Sequence, residues 1–294
     1  MLVSIYLPTK NRLESMKAAV DSVLRQTYTN LELIIVDDGS TDGTADYLNE
    51  LVRIDARVKF LRNEISRGAC YARNRAIKAS TGEFITGLDD DDEFISSHIG
   101  ALVDYWSLLT THSSTFPSCI YTQNIYKNNE VLSESKKMSR VEYTDLFEGN
   151  HIGNQIFAPR SHFIETGLFD ENMPAWQDLE FFFRILKKFG AARLLDLNSY
   201  IFDISLRPDR ISSAQKARIL EASDRMITLH ADNRDRGAQR FLLQAYGDYY
   251  NFPLTFKDLC IFLRHGFWWQ GLKVMILNFL KRDFQNLKRK LILN

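Results

Sequence analysis

Four consecutive aspartates, Asp89, Asp90, Asp91 and Asp92, follow the apolar run at residues 84 to 88 and are the residues best suited to chemistry. Because side chains along an extended strand alternate between its faces, we expect Asp89 and Asp91 on one face and Asp90 and Asp92 on the other. Two carboxylates on one face suit a hard divalent cation such as Mg²⁺ or Mn²⁺, which often completes its coordination with substrate phosphates. The spacing alone also allows a solvated acidic turn.

Strand and helix signals alternate along the first third of the chain. The pattern predicts strands at residues 2–7, 31–36, 58–61 and 84–88, with helices at 15–26, 45–51 and 69–79 between them. This alternation indicates a mainly parallel sheet with helices on both faces. Ligands of such sheets bind at the carboxyl ends of the strands. We therefore expect residues 9–12, the pair Asp37 and Asp38, and the four aspartates to meet at one edge.

Composition excludes several classes of protein. The 294 residues include 37 basic and 37 acidic side chains, so no overall field attracts nucleic acid. Three separated cysteines, Cys70, Cys119 and Cys260, predict buried free thiols in a reducing compartment. We expect no signal peptide, because the N-terminus leads directly into a strand-like run. We expect no membrane-spanning helix, because no stretch reaches about 18 uninterrupted apolar residues. The nucleotide-binding motifs G-x-x-x-x-G-K-S/T and G-x-G-x-x-G are absent, as is the zinc motif H-E-x-x-H.

Five motifs occur in the chain: residues 3–12, residues 36–44, residues 67–74, residues 88–92, and residues 167–171 followed by 176–178. Their order is typical of family 2 inverting glycosyltransferases, and the chain resembles that family from residue 3 to about 212. The resemblance implies an α/β fold of the GT-A type, with a Rossmann-like, mixed but mainly parallel sheet flanked by helices. The family usually has Glu at position 177, where this chain has Gln177.

The resemblance also implies roles for particular residues. Asp178 matches the catalytic base, and Asp91 matches the ligand of a Mn²⁺ or Mg²⁺ ion that bridges the diphosphate. Asp38 is expected at the uracil or ribose, Lys10 at the base, Arg67 near the nucleotide and Asp89 at the ribose. The nucleotide-sugar site as a whole comprises Pro8, Thr9, Lys10, Asn11, Arg12, Asp38, Arg67, Asp89 and Asp90. Candidates for the diphosphate or the acceptor are His151, Trp176, Arg207 and Arg210.

The residues themselves leave some of these roles open. The apolar positions 179, 182, 183 and 186 place Asp178 at the start of a helix, where the helix dipole favours an ionised carboxylate. Asp178 could instead serve only as a helix cap, and Asp37 could be an ordinary turn residue. Arg73 and Asn74 are expected to brace the edge of the sheet.

The resemblance implies transfer of a single hexose from a UDP-sugar, with inversion to a β-linkage. Glucose and galactose are the first candidates for this hexose. The acceptor would be GlcNAc or GalNAc on undecaprenyl diphosphate, as in O-antigen or similar polysaccharide assembly. A processive synthase is not expected, since the Q-x-x-R-W motif of those enzymes is absent. Two alternatives are a sugar nucleotidyltransferase and a non-catalytic, metal-dependent carbohydrate-binding protein.

The predicted organisation has three parts. Residues 1–125 form the nucleotide-sugar half and residues 126–212 the acceptor and catalytic half of one GT-A domain, and residues 213–294 form a helical extension. The extension holds Phe267-Trp268-Trp269 and, over residues 257–294, eight basic against two acidic side chains. Aromatic and basic residues together are typical of a helix on an anionic membrane surface, here the cytoplasmic face of the inner membrane. A helix packed on the catalytic domain or on a second subunit of a homodimer is the alternative.

Overall fold

The computed structural model describes residues 1–111, 116–205, 216–231, 236–247, 249–250, 252–278 and 280. The chain forms two compact units. The first unit comprises Met1–Leu146, Asn150–Asn172 and Gln177–Arg210, and the second unit comprises Phe147–Gly149, Met173–Trp176 and Ile211–Asn294. The functional roles predicted for residues 1–125, 126–212 and 213–294 stay predictions.

The first unit is built on a five-stranded sheet. Strands β1 (Val3–Thr9), β2 (Leu31–Asp37), β3 (Val58–Arg62) and β4 (Phe84–Gly87) lie parallel in the order β3-β2-β1-β4. The helices along this part of the chain are α1 (Leu13–Leu24), α2 (Thr44–Ile54), α3 (Ala69–Ala79) and α4 (His98–Thr111). Every residue of β1 and β2 is buried, as expected for parallel strands covered on both faces. The predicted α/β architecture is therefore confirmed.

A second sheet follows in the same unit. Its strands are β5 (Glu93–Phe94), β6 (Ile120–Asn128), β7 (Val131–Glu134), β8 (Arg140–Val141) and β10 (Ala192–Asp203). Strand β9 (Ala158–Pro159) instead joins the first sheet, antiparallel to β4. The order of the second sheet is β5-β10-β6-β7, with β8 also paired to β10. Two further helices, α5 (Arg160–Thr166) and α6 (Gln177–Phe189), complete the unit.

The apolar pattern of the sequence predicts a strand over residues 200–206, and strand β10 differs from it. It begins at Ala192 and ends at Asp203, and residue 206 lies outside the described residues. Its register against β6 shifts on both sides of Asn198, which indicates β-bulges. A bulge breaks the alternation of inward and outward side chains. The first half of this strand therefore lacks the regular alternation by which a strand is predicted.

The second unit is helical in its described part. It contains α7 (Lys216–His230), α8 (Gly237–Ala245), α9 (Phe256–Arg264) and a helical segment at residues 269–278. Its core consists of Leu242, Tyr246, Phe262 and Met275. The side chain of Thr255 caps α9 in a reciprocal capping box with Asp258. Among the helices that the structure describes, none is both long and apolar enough to cross a membrane.

The burial predicted for the three cysteines is confirmed for two of them. Cys70 and Cys119 are buried, but Cys260 is exposed, so the prediction is wrong for that residue.

Candidate active site

The three polar clusters predicted at strand ends meet at one edge of the first sheet. The hydroxyl of Thr9, the last residue of β1, donates to Asp90 Oδ2 at 2.8 Å. Arg12 Nη1 donates to Asp90 Oδ1 and to Asp91 Oδ2, each at 3.0 Å. The backbone N–H of Asp38, just after β2, donates to the carbonyl of Thr9 at 2.8 Å. The prediction that these three clusters meet at one edge of the sheet is therefore confirmed.

The arrangement of the four aspartates was predicted wrongly. Strand β4 ends at Gly87, and the aspartates form a turn in which the N–H of Asp92 donates to the carbonyl of Asp89 at 3.1 Å. Arg12 contacts both Asp90 and Asp91, whereas Asn154 Nδ2 donates to Asp89 Oδ2 at 3.2 Å and to Asp92 Oδ2 at 3.0 Å. Asp89 and Asp92 thus share Asn154 as a hydrogen-bond donor, and Asp90 and Asp91 share Arg12. Alternation fails because it holds only for extended backbone.

Two of these carboxylates, Asp90 and Asp92, are buried. Burial beside Asp89 and Asp91 raises the pKa of Asp92 well above its usual range, while the Tyr200 hydroxyl donates to Asp92 at 2.7 Å. Burial also raises the pKa of Asp90 to about 6, although Arg12 opposes this rise. Asp92 therefore anchors the turn to β10. Asn154 and Tyr200 carried no sequence motif and were missed.

Asp38 organises the loop that carries Arg67. Its carboxylate accepts hydrogen bonds from Asn63 Nδ2 at 2.7 Å, Ser66 Oγ at 2.6 Å, and the backbone N–H groups of Arg67 at 2.9 Å and Gly68 at 2.8 Å. Although burial alone would raise it, these donors lower the pKa of Asp38. Asp38 is thus held as an anion at the edge of the sheet.

The other residues predicted around the nucleotide lie along the same edge. Pro8 is buried within β1, and Lys10 is exposed just beyond it. Asn11 has a left-handed backbone with φ 52°, and its Oδ1 accepts the Thr41 N–H at 2.8 Å. The exposed Arg67 guanidinium lies 3.7 Å from the centre of the Tyr71 ring. Their contacts with a nucleotide stay predictions.

Of the two roles expected for Asp37, at a ligand site or as an ordinary turn residue, the structure supports the second. Asp37 Oδ1 accepts the backbone N–H of Ser40 at 2.8 Å, which closes the turn after β2. The side chain is fully buried. Asp37 is therefore a turn-forming residue.

Asp178 has the environment of a base. It is the second residue of α6, and its side chain is 24% exposed. Burial raises the pKa of Asp178 to about 6, with Arg73 opposing the rise and Asp89 adding to it. Within the described part of the chain, Asp178 Oδ1 accepts no hydrogen bond, since Arg73 Nη1 lies 3.7 Å away. Such a carboxylate is ionised at neutral pH and is a better proton acceptor than a solvated one.

Arg73 links Asp178 to the aspartate turn, which the sequence did not predict. Arg73 Nη2 donates to Asp89 Oδ1 at 2.9 Å, and Nη1 donates to Gln177 Oε1 at 3.3 Å. Gln177 thus occupies the position of the missing glutamate as a neutral acceptor. Asn74, in contrast, braces the fold as expected, exchanging two hydrogen bonds of 2.9 Å with the backbone of Phe169.

Glu180 is separated from this site, as its position on the helix predicts. Its carboxylate is 1% exposed and accepts from Arg184 Nε at 2.7 Å and Nη2 at 2.6 Å. Arg184 also donates to the carbonyl of Leu168 at 2.6 Å. This ion pair ties α6 to the loop after α5.

Of the four candidates for acceptor contacts, two lie in the described part of the chain, one in each unit. His151 lies partly exposed in a turn closed by Asn150. Trp176 belongs to the second unit, where its indole Nε1 donates to the Tyr250 hydroxyl at 2.6 Å. Arg207 and Arg210 lie outside the described residues.

The described carboxylates would suit a metal ion only in a site completed by the phosphates of a substrate. Among the described residues, no group of three or more His, Cys, Asp or Glu side chains is placed to hold a metal. Asp91, the expected ligand, offers hard carboxylate oxygens and also contacts Arg12. Such oxygens would suit Mg²⁺ or Mn²⁺ if substrate phosphates completed the coordination.

Comparison with known proteins identifies similar chains. The family model described as "Glycosyl transferase family 2" matches residues 4–164. A protein of Escherichia coli K12, WcaA, which bears the name of a colanic acid biosynthesis glycosyl transferase, is 32% identical over 89% of this chain and 93% of its own. The Campylobacter jejuni protein named GalNAc(5)-diNAcBac-PP-undecaprenol beta-1,3-glucosyltransferase is 27% identical over 88% of this chain and 87% of its own.

A shorter match and a solved structure add to these findings. The Escherichia coli protein named UDP-Glc:alpha-D-GlcNAc-diphosphoundecaprenol beta-1,3-glucosyltransferase, WfgD, is 35% identical over 52% of this chain and 57% of its own. The crystal structure of Staphylococcus aureus TarS 1-349 with UDP-GlcNAc has a TM-score of 0.65 at 17% identity, covering 90% of this chain and 79% of TarS. This likeness establishes a GT-A type of fold.

Proposed function

Because this chain belongs to glycosyl transferase family 2 and is a glycosyltransferase, we propose that it transfers one hexose from a UDP-sugar to a sugar on undecaprenyl diphosphate. The transfer inverts the anomeric carbon and forms a β-linkage. Glucose is the first choice of hexose and galactose the second, and GlcNAc or GalNAc is the acceptor sugar. The names of the relatives in Escherichia coli and Campylobacter jejuni support an undecaprenol-linked acceptor and glucose as the donor sugar.

One observation carries the catalytic part of this proposal. Asp178 is a largely buried carboxylate whose Oδ1 accepts no hydrogen bond from the described residues, and its raised pKa of about 6 is suited to general-base catalysis. It takes the proton from the acceptor hydroxyl as that oxygen attacks the anomeric carbon. Arg73 keeps the carboxylate oriented through its own contact with Asp89.

The rest of the site binds and orients the donor. Asp38 holds the Arg67 loop in place at the uracil or ribose, while Asp89 and Asp90 line the donor side. Arg12, which already contacts Asp90 and Asp91, supports the turn that faces the diphosphate. A Mn²⁺ or Mg²⁺ ion bound by Asp91 and the diphosphate would neutralise charge on the UDP leaving group. Positioning of both substrates supplies much of the remaining acceleration.

The test is transfer from labelled UDP-glucose and UDP-galactose to GlcNAc- and GalNAc-diphosphate-lipid analogues, with Mn²⁺ and with EDTA. Product from one pair, lost on adding EDTA and restored by metal, would establish donor, acceptor and metal dependence together. A sugar nucleotidyltransferase would instead release pyrophosphate from UTP and a sugar 1-phosphate. A carbohydrate-binding protein would bind the sugar without turnover.

We also propose that the second unit docks on the cytoplasmic face of the inner membrane. The side chains of Phe267 and Trp269 are 71% and 60% exposed, and Lys257, Arg264 and Lys273 are exposed in the same unit. Exposed aromatic and basic side chains suit an anionic lipid surface. The strongly basic end of the chain, residues 281–294, lies outside the described residues.

Point substitutions test this docking better than a deletion. Removal of residues 267–294 would take away Met275, a core residue of the unit, and would disturb folding. The double variant Phe267→Glu and Trp269→Glu should lose sedimentation with vesicles of phosphatidylglycerol and phosphatidylethanolamine while keeping its melting temperature. Unchanged sedimentation would exclude this surface as the membrane contact.

A further inference from the structure

A lysine ammonium without an opposing carboxylate lies in a cavity of the first unit. Lys137 Nζ donates to the carbonyl of Thr122 and to Asn124 Oδ1, each at 2.7 Å. Burial lowers the pKa of Lys137 to about 7, and no carboxylate in the described part of the chain offsets this effect. Because a buried charge without a counter-charge is costly, an anion bound at this nitrogen would be stabilising.

The lining of the cavity is polar around this lysine. It includes His98, Thr122, Asn124 and Asn154, and no acidic side chain of the described residues belongs to it. Burial, together with the nearby charge of Lys137, lowers the pKa of His98 to about 3. This histidine is therefore neutral, and the positive charge of the cavity lies on Lys137.

Gly153 leaves a space on which two hydrogen-bond donors converge. A Cβ atom at this position would lie 2.8 Å from Lys137 Nζ and 3.9 Å from Asn124 Nδ2. The ammonium has three N–H donors and uses two of them. Asn124 Nδ2 donates to no acceptor among the described residues. An oxygen atom beside Gly153 is therefore within reach of an N–H group from each side chain.

A buried hydrogen-bond network holds these two donors in place. Gln123 Oε1 accepts the backbone N–H of Lys137 at 3.0 Å and the hydroxyl of Ser135 at 2.8 Å. The oxygen of that hydroxyl accepts the backbone N–H of Asn124 at 2.7 Å. The side chains of Gln123, Asn124 and Ser135 are buried. A satisfied network of this kind makes the local structure rigid, so a ligand would meet donors that are already oriented.

The space beside Gly153 lies close to the aspartate turn. Asn154, the next residue, donates to Asp89 Oδ2 at 3.2 Å. Asp89 also accepts from Arg73, the arginine beside Asp178. The space and the proposed base are thus connected through side chains that all belong to the first unit.

We propose that Lys137 and Asn124 bind a phosphate oxygen of the acceptor's diphosphate beside Gly153. The ammonium of a lysine binds phosphate as a compact positive charge, and the phosphate supplies the counter-charge that the cavity lacks. The proposed reaction offers phosphate from two sources, the acceptor and the UDP-sugar. We assign this one to the acceptor, because the UDP diphosphate is expected at Asp91, which contacts Arg12. The inference rests on the proposed function, since it assumes an acceptor that carries a diphosphate.

Acetylation of lysines tests this phosphate site directly. The full-length protein is treated with acetic anhydride in EDTA, and mass spectrometry measures the modification of Lys137 and of its exposed neighbour Lys136, the matched control. GlcNAc-diphosphate that carries a short alkyl chain should lower the acetylation of Lys137 at least fivefold and leave Lys136 unchanged. UDP and the alkyl glycoside without phosphate should protect neither lysine.

The other outcomes of this experiment overturn the proposal. Protection of Lys137 by UDP would assign the phosphate to the donor. Equal acetylation with and without the sugar diphosphate would mean that Lys137 does not contact it. No acetylation of Lys137 in the free protein would show that the cavity is closed to ligands. Transfer to a GlcNAc-diphosphate-lipid without protection of Lys137 would overturn this inference alone, whereas absence of transfer from every UDP-sugar would count against the proposed function.

Two substitutions separate phosphate binding from a structural role of the lysine. Lys137→Met removes the charge, and Asn124→Asp places a carboxylate at the present 2.7 Å contact with the ammonium. Both variants should bind the sugar diphosphate at least tenfold more weakly in titration calorimetry, with UDP affinity within twofold of wild type. Lys136→Met should behave as wild type. If Lys137→Met does not fold, Asn124→Asp decides the question, since wild-type affinity in that variant would refute phosphate binding by this pair.

Discussion

Replacing Asp178 by asparagine should abolish transfer and yet leave the protein at least as stable as the wild type at neutral pH. The substitution keeps the shape of the side chain and removes its charge. In the wild type Arg73 also donates to Asp89 at 2.9 Å and to Gln177 at 3.3 Å, and we expect the variant to keep both hydrogen bonds. Loss of a general base costs about 10²- to 10⁴-fold in rate, which corresponds to ~3–5 kcal/mol in the barrier.

The effect on stability follows from the raised pKa of Asp178. Its pKa rises from 3.8 to about 6 in the folded protein, mainly through burial, so ionisation of this carboxyl opposes folding. The stability associated with the protonated form is present below pH 3.8 and is lost as the pH rises through about 6. The full cost is ~3 kcal/mol at most. Asp178→Asn avoids it, so its melting temperature should equal or exceed that of the wild type at pH 7.5, and the difference should vanish near pH 4.

The assays are transfer rate, UDP-sugar affinity and melting temperature, measured on the same preparations. Wild-type kcat/KM should fall about tenfold per pH unit below pH 6, where Asp178 becomes protonated. Glu180→Gln, two residues along the same helix, is the matched control, because it breaks the buried pair with Arg184. It should lower the melting temperature, since such a break costs about 3–5 kcal/mol, while the folded fraction keeps its activity.

Three results would refute this reasoning. One is retention of more than a tenth of the transfer rate in Asp178→Asn. Another is a loss of UDP-sugar affinity in that variant, which would make Asp178 a structural residue. The third is a fall in melting temperature as large as that of Glu180→Gln.

Three further predictions concern the donor edge of the sheet. Asp38→Ala should raise the KM for the UDP-sugar at least tenfold in steady-state kinetics, because the Arg67 loop loses its hydrogen-bond acceptor; an unchanged KM would contradict this role. Tyr200→Phe should lower the free energy of unfolding by about 1–3 kcal/mol in denaturant titrations, since the buried Asp92 loses a donor, and unaltered stability would show that water replaces the hydroxyl. Asp91→Asn should raise the Mn²⁺ concentration that gives half-maximal transfer at least tenfold, and an unshifted metal titration would exclude Asp91 as a ligand.

Much of the fold and of the site could be predicted because the signals are local. The boundaries of α3 match the predicted residues 69–79, and Asp178 lies at the start of α6 as the spacing of apolar residues indicates. The meeting of Thr9, Asp38 and the aspartates follows from parallel strands, whose carboxyl ends share one edge. Helix periodicity and strand ends are encoded in short stretches of consecutive residues, so a single sequence is enough to predict them.

Only the tertiary structure decided how the charged groups are connected. Asn154 donates to Asp89 across 65 positions of the chain, Tyr200 to Asp92 across 108, and Arg73 to Gln177 across 104. No periodicity links residues so far apart, and the turn that pairs Asp90 with Asp91 depends on donors from other segments. The sequence by itself determined which carboxylates reach the edge of the sheet. The folded chain decided which of them are neutralised by buried donors and which, like Asp178, stay available for a proton, because burial and long-range partners set the pKa.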